Sequence, residues 1–241
     1  MAQETNAPMG PAAPPQYYRL NVAKVTWPEL RRASANPFVF IMSAPILAFC
    51  KLFRLSLFSA EYFPHDITYL PADVNTLGAR AERVDHILRS VVGLGFEHFS
   101  TFRVPELPYD NVIFALMNRE EQAYADIYHV ITPMKNIVYT EFVTCLADGG
   151  GLTTVNNREA VATESPPLAR RQALHGASPE ALWQAHRAKL AELAPAAGGV
   201  SGPVSVEHYA ERFRQAWRRF ADFQVQRGAW VPAEQAGKQG Q

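Results

Sequence analysis

Cysteine is scarce, with two in 241 residues, too few for a disulfide framework or a sulfur-rich structural zinc site, either of which needs four sulfurs or a tight Cys/His cluster. Cys50 and Cys145 are therefore expected as small buried apolar residues. A phosphate-binding glycine pattern, a nucleophile elbow, an HExxH pair and an EF-hand loop are missing as well. The three glycines at 149–151 lie between strand-like runs and not ahead of a helix, so they read as a turn. No cofactor and no metal is implied, because the seven histidines stand at no ligand spacing. Net charge is also absent, 23 Lys and Arg matching 23 Asp and Glu. What is present is a chain 48% hydrophobic, whose size allows about 72% of its extended surface to be buried. Composition excludes collagen, coiled-coil rods, polytopic membrane proteins and wholly disordered chains.

The neutral total hides a division. Residues 1–60 hold six basic and two acidic side chains, residues 61–165 seven and fifteen, and residues 166–241 ten and six. An acidic middle between basic ends lacks the dense basic face a phosphate-tracking protein needs, which argues against DNA or RNA as a partner. Residues 1–35, rich in Pro and Ala, read as a disordered N-terminal tail, 36–60 as an apolar segment, 61–165 as an α+β domain, 166–231 as a helical C-terminal extension and 232–241 as a second disordered tail.

The apolar run at 38–58 is broken only by Ser43, Pro45, Lys51, Arg54 and Ser56. As a helix, its densest 13 residues extend about 20 Å, short of the ~30 Å hydrocarbon layer, whereas all 21 reach about 32 Å with Lys51 and Arg54 snorkelling at one interface. The run begins too far from the N-terminus for a secretory signal, and Phe49 spoils a lipobox at Cys50. A core element, a membrane-entering segment and an interfacial helix all remain open. Basic residues flank both ends almost equally, so the run has no preferred orientation. The implied location is cytoplasmic or peripheral to a membrane, with a single span also compatible, and not that of a typical secreted protein.

Farther on, Val84, Ile87, Leu88 and Val91 repeat at helical spacing, with Asn75 or Thr76 as cap. Strand-like runs follow at 96–104, 111–118, 123–131, 137–147 and 152–155. Two helices close the chain, one opened by Ser178 and Pro179 with His186 on its apolar side, the other by Ser205 with a stripe of Tyr209, Phe213, Trp217 and Phe220. The fold class is α+β: one amphipathic helix packed on an antiparallel four- to five-stranded meander, followed by two C-terminal helices.

A symmetric five-residue connection at 132–136 sets Ile131 against Ile137 and His129 against Tyr139, with Glu141 diagonal on the same face. A histidine, a phenol and a carboxylate sharing one face are the raw material of acid/base chemistry. The leading expectation is nevertheless a non-enzymatic protein acting through binding, its partner a membrane surface or another protein. Phe38, Phe40, Lys51, Arg54, Arg214 and Arg218 are the candidate contacts. The alternative is a small ligand-binding domain or enzyme working at His129, Tyr139 and Glu141, its ligand undefined.

Overall fold

A computed structural model describes residues 16–33, 37–52, 58–133, 135–202 and 204–233. Among these residues the chain is α+β, with five α-helices and two sheets. The strands are β1 (Tyr17–Asn21), β2 (Phe58–Pro64), β3 (Leu70–Pro71), β4 (Glu97–Arg103), β5 (Asp110–Asn118), β6 (Ala123–Ile131), β7 (Asn136–Cys145), β8 (Gly151–Val155), β9 (Ala169–Ala173) and β10 (Trp230–Pro232). The helices are α1 (Trp27–Ala33), α2 (Pro37–Leu52), α3 (Ala79–Gly93), α4 (Pro179–Leu193) and α5 (Val206–Gln226).

Strands β3 to β9 form a seven-stranded sheet in sequence order, antiparallel except for the parallel β8–β9 pair. The four- to five-stranded meander is thus extended at both edges. Glycine makes the β7–β8 reversal possible: Gly149 takes φ +80°, and a Cβ on Gly150 would lie 2.4 Å from the Leu168 carbonyl oxygen. Helix α3 is not capped by Asn75 or Thr76. Those residues belong to a short 3₁₀ turn whose cap is Asp73, and Gly78 precedes the α-helix without a side-chain cap.

Both sheet faces are covered. On one face Val112, Phe114, Leu116, Ala125, Ile127 and Phe142 cluster with Val84 and Val91 of α3 and with Leu182 and Trp183 of α4. On the other, Ile113, Ala115, Met117 and Tyr124 cluster with Tyr209, Phe213 and Trp217 of α5. The aromatic stripe of α5 is therefore spent on the protein's own sheet, as burying about 25 cal/mol per Å² of apolar surface favours. His186 is a core histidine of α4, its two ring nitrogens 2.9 and 3.0 Å from the hydroxyls of Thr154 and Thr144. Cys145 is half-buried and free, less enclosed than expected.

The stretch read as an N-terminal tail contains regular structure from Tyr17 onward. Strand β1 lies between β10 and β2 in a three-stranded antiparallel sheet, so residues near the two ends of the chain pair directly. Tyr18, Ala221, Ala229 and Trp230 form its core, with Phe63 stacked on Trp230 at 5.1 Å. Residues 1–15 and 234–241 lie outside the described residues. Helix α1 starts with a capping box: the Thr26 amide donates to Glu29 at 2.7 Å, and the Glu29 amide to the Thr26 hydroxyl at 3.4 Å. Glu29, 2% exposed, also accepts both guanidinium nitrogens of Arg227, at 2.5 and 2.8 Å, and the Glu164 amide at 2.8 Å.

Two pH effects follow. Burial raises the Glu29 pKa, but Arg227 and the two backbone amides outweigh it and hold the carboxyl down to about 2. A depressed carboxyl stabilises the fold above its unfolded value of 4.5 and loses that contribution as pH falls toward 2. Glu29→Gln should cost about 3 kcal/mol at pH 7 by removing the bidentate partner of Arg227 and leaving it only Glu164 at 3.4 Å, and denaturant titration should find little of this difference at pH 2.5. For His186, burial lowers the pKa to about 4, so the unfolded chain takes up the proton first and stability drops as pH falls from 6.5 toward 4. Between pH 7 and pH 5 the wild type should lose about 2 kcal/mol more than His186→Gln; equal slopes would refute the neutral buried imidazole.

Candidate functional site

The register of the β6–β7 hairpin decides which of the proposed acid/base residues meet. Thr132 closes the turn on Lys135, its amide donating to the Lys135 carbonyl at 2.9 Å and its hydroxyl accepting from the Lys135 amide at 3.0 Å. The connection is consequently residues 132–135, and Ile131 faces Asn136, not Ile137. A one-residue shift changes every cross-strand partner. His129 faces Val138, whereas Tyr139 faces Tyr128 and Glu141 faces Asp126. His129 is on the α3 side with its Nε2 bonded to Asn136, while Tyr139 and Glu141 are on the α5 side. Burial, then the charges of Arg80 and Arg83, lower the His129 pKa, against the opposing pull of Asn136 and Asp110.

The correct register assembles a different group. Asp126 and Glu141 are direct cross-strand neighbours, and Asp126 is fully buried. Tyr209 of α5 donates to Asp126 Oδ1 at 2.7 Å, and Tyr128 to Glu141 Oε1 at 2.9 Å. Tyr139 stacks on Tyr128 with ring centroids 4.6 Å apart and planes 6° from parallel. Tyr69 packs edge-on to Tyr209 at 5.7 Å. Arg171 of β9, itself deeply placed, hydrogen-bonds Ser165 at 3.3 Å and the Ala160 carbonyl. Burial raises the Asp126 pKa far above the usual carboxylate range, and the neighbouring Glu141 charge adds to that. Glu141 is raised by burial as well, with Arg171 and Tyr128 opposing. Two carboxyls this close titrate as a pair that retains a proton. The four phenols are all raised, chiefly by burial. They are therefore neutral, and two of them, Tyr209 and Tyr128, donate to the pair. Helix α5 covers it, and a cavity of about 580 Å³ reaches only its outer member, Tyr139. Alternation along β6 places Asp126 and Tyr128 on one face, and the register of the hairpin adds Glu141 and Tyr139.

The other candidate contacts separate into two groups. Arg218 closes an ion pair on Asp66, and Arg214 lies 3.6 Å from the same carboxylate and 2.9 Å from Glu211, so both serve the fold's own surface. Arg54 lies outside the described residues. Phe38, Phe40 and Lys51 are all on α2. This helix turns Phe40, Ser43, Ala44, Leu47 and Lys51 toward the protein, with Leu47 3% exposed and Lys51 donating to the Ala23 carbonyl at 3.2 Å. Its opposite face presents Phe38, Ile41, Met42, Pro45, Ile46, Phe49 and Leu52, of which Ile41, Met42, Ile46 and Leu52 are 57–77% exposed. Helix α2 is thus covered on one face and open on the other. No helix among the described residues is long and apolar enough to cross a membrane. At 16 residues α2 is about 24 Å long.

A second feature adjoins α2. Trp27, Pro28, Arg31 and Arg32 of α1, Phe40 of α2 and Arg158 line an open cavity of about 480 Å³. Among the described residues no three His, Cys, Asp or Glu side chains gather as a metal site.

The shared proton under α5 has a testable sign. The folded pair keeps a proton that the unfolded chain releases near the ordinary carboxyl value of 3.8, so it costs stability as pH rises above that value. Asp126→Asn keeps an acceptor for Tyr209 and removes the charge problem. It should be at least as stable as the wild type at pH 8, with a smaller stability difference between pH 5 and pH 8 in denaturant titrations. A loss greater than about 2 kcal/mol at pH 8 would mean that Asp126 is ionised and paired.

Compared with known proteins, the chain matches no family model, no curated protein sequence and no solved structure at a significant level.

Proposed function

We propose that the protein is a peripheral membrane-binding protein that attaches to anionic lipid surfaces by laying α2 in the interface. The observation that carries this reading is the solvent-facing apolar stripe of α2, on which Ile41, Met42, Ile46 and Leu52 are more than half exposed while Leu47 anchors the opposite face. Single exposed apolar residues are ordinary, but a contiguous stripe along a helix marks an interaction surface. Transfer of such side chains from water toward the acyl boundary is worth on the order of 1 kcal/mol each, given their present exposure.

Charge favours lipid over a protein groove as the occupant. From residue 30 to residue 60 there is no Asp or Glu, while Arg31, Arg32, Lys51 and Arg54 occur in the same stretch. Basic side chains beside an apolar helix are attracted to the negative potential of anionic lipids within a Debye length. The catalytic alternative has less support, since its three residues do not share a face.

The test is co-sedimentation of the full chain with vesicles of phosphatidylcholine alone and with 30% phosphatidylglycerol added (both compositions chosen for the test). Ile46→Asp combined with Met42→Asp should reduce binding to both by about tenfold or more, consistent with loss of roughly 1 kcal/mol of apolar transfer at each site plus the cost of the new charges. Absence of vesicle binding, with a concentration-dependent oligomer that these substitutions abolish in light scattering, would replace lipid with a second copy as the occupant.

A further inference from the structure

Arg31, Arg32 and Arg158 line the open cavity beside α2 together with Trp27, Pro28 and Phe40. The carboxylates nearest in sequence are already engaged. Glu29 is held by Arg227, Glu159 by Lys135 at 2.6 Å, and Glu164 by Arg227 at 3.4 Å. Among the described residues none of the three arginines forms an ion pair; Arg32 Nε donates only to the Pro28 carbonyl, at 3.2 Å. Three like charges on the residues around one cavity repel one another, and an anion that accepts from several of them at once relieves the repulsion. Guanidinium groups suit phosphate oxygens in particular, because two parallel N–H donors match two oxygens. The volume, about 480 Å³, falls within the range of small-ligand pockets.

The position narrows the ligand further. Phe40 belongs to the inward face of α2, and the helix's outward face carries the exposed apolar stripe. Trp27, 42% exposed, places an indole at the same rim, the amphipathic type of ring that settles at headgroup depth. The cavity thus lies beside the N-terminal part of α2, the helix whose outward face carries the apolar stripe.

We propose that Arg31, Arg32 and Arg158 form a binding site for the phosphate of an acidic phospholipid headgroup. The proposal rests on the membrane reading of α2 and adds selectivity to it: α2 supplies affinity for any bilayer, the arginine cavity supplies preference for acidic phospholipid. Because a basic side chain at an anionic surface is worth about fivefold in partitioning, the three together set the preference.

The experiment measures partitioning of the full chain onto vesicles of phosphatidylcholine alone and with 30% phosphatidylglycerol or 30% phosphatidic acid (compositions chosen for the test). Arg31→Gln/Arg32→Gln/Arg158→Gln is compared with a control that removes the same charge elsewhere, Arg83→Gln/Arg119→Gln/Arg219→Gln. The cavity variant should lose at least tenfold on the two acidic compositions and nothing on phosphatidylcholine, while the control loses less than threefold on each. Equal losses in the two variants, or none in the cavity variant, would overturn the site yet leave α2 attachment standing. Failure of the wild type to bind any vesicle would instead remove the membrane reading on which the site depends. Inorganic phosphate distinguishes the remaining source: a thermal shift at millimolar phosphate that the cavity variant abolishes, with vesicle binding equal in wild type and variant, would assign the cavity to a soluble anion and overturn the lipid headgroup.

Discussion

Glu29 and Arg227 are separated by 198 residues and meet through two short hydrogen bonds in a nearly dry environment. A carboxylate so deeply buried is tolerated only when its acceptor capacity is filled, and here Arg227 and the amides of Thr26 and Glu164 fill it. The pair fastens α1 to the end of α5 and to the loop between β8 and β9. Beside it, the Asn21 amide donates to the Ala229 carbonyl and β1 pairs with β10, so early and late parts of the chain close the same corner. That closure places α1, and with α1 both the arginine cavity and the footing of α2.

From this corner the remaining architecture divides by sheet face. On the α3 and α4 side, apolar packing is interrupted by hydroxyl-satisfied His186. On the α5 side, Asp126 and Glu141 lie within a shell of four tyrosines. Both polar sets are inside: the imidazole stays neutral by burial with both ring nitrogens bonded to hydroxyls, whereas burial raises the carboxyl pair and Asp126 Oδ2 is left without a hydrogen-bond partner. The outward-facing chemistry lies elsewhere, on the surface of α2 and at the rim of the cavity. Interior polar groups and the proposed interaction surface are thus separate.

Helices α3, α4 and α5 and strands β4 to β8 were legible because each has a period and a boundary signal: Val84 to Val91 at helical spacing, Ser178 and Ser205 as caps, unbroken apolar runs in β5. Short edge elements carry neither. Strand β3 has two residues, β10 has three, and β9 reads Ala-Arg-Arg-Gln-Ala, whose alternation is hidden by polar side chains. Strand β1 follows a proline-rich stretch and pairs with partners some 40 and 210 residues away, distances over which local pattern is silent. The capping box of Thr26 and Glu29 was a signal available in the sequence and would have located α1. The candidate site moved for a narrower reason: a turn of four residues in place of five carried Tyr139 and Glu141 to Tyr128 and Asp126 and left His129 on the opposite face.

The sequence by itself determined an α+β chain with helices and meander in the right order, an acidic middle between basic ends, and an apolar segment too strongly apolar to ignore. Those properties follow from composition and from periods of 2 and about 3.6 residues, which each segment carries within itself. Only the tertiary structure decided which face of α2 is covered, because a helix apolar all round has no period to orient it. Register, the pairing of Glu29 with Arg227 and the gathering of three arginines around one cavity were likewise decided there. Each depends on contacts between segments distant in the chain, and local propensity carries no information about such contacts.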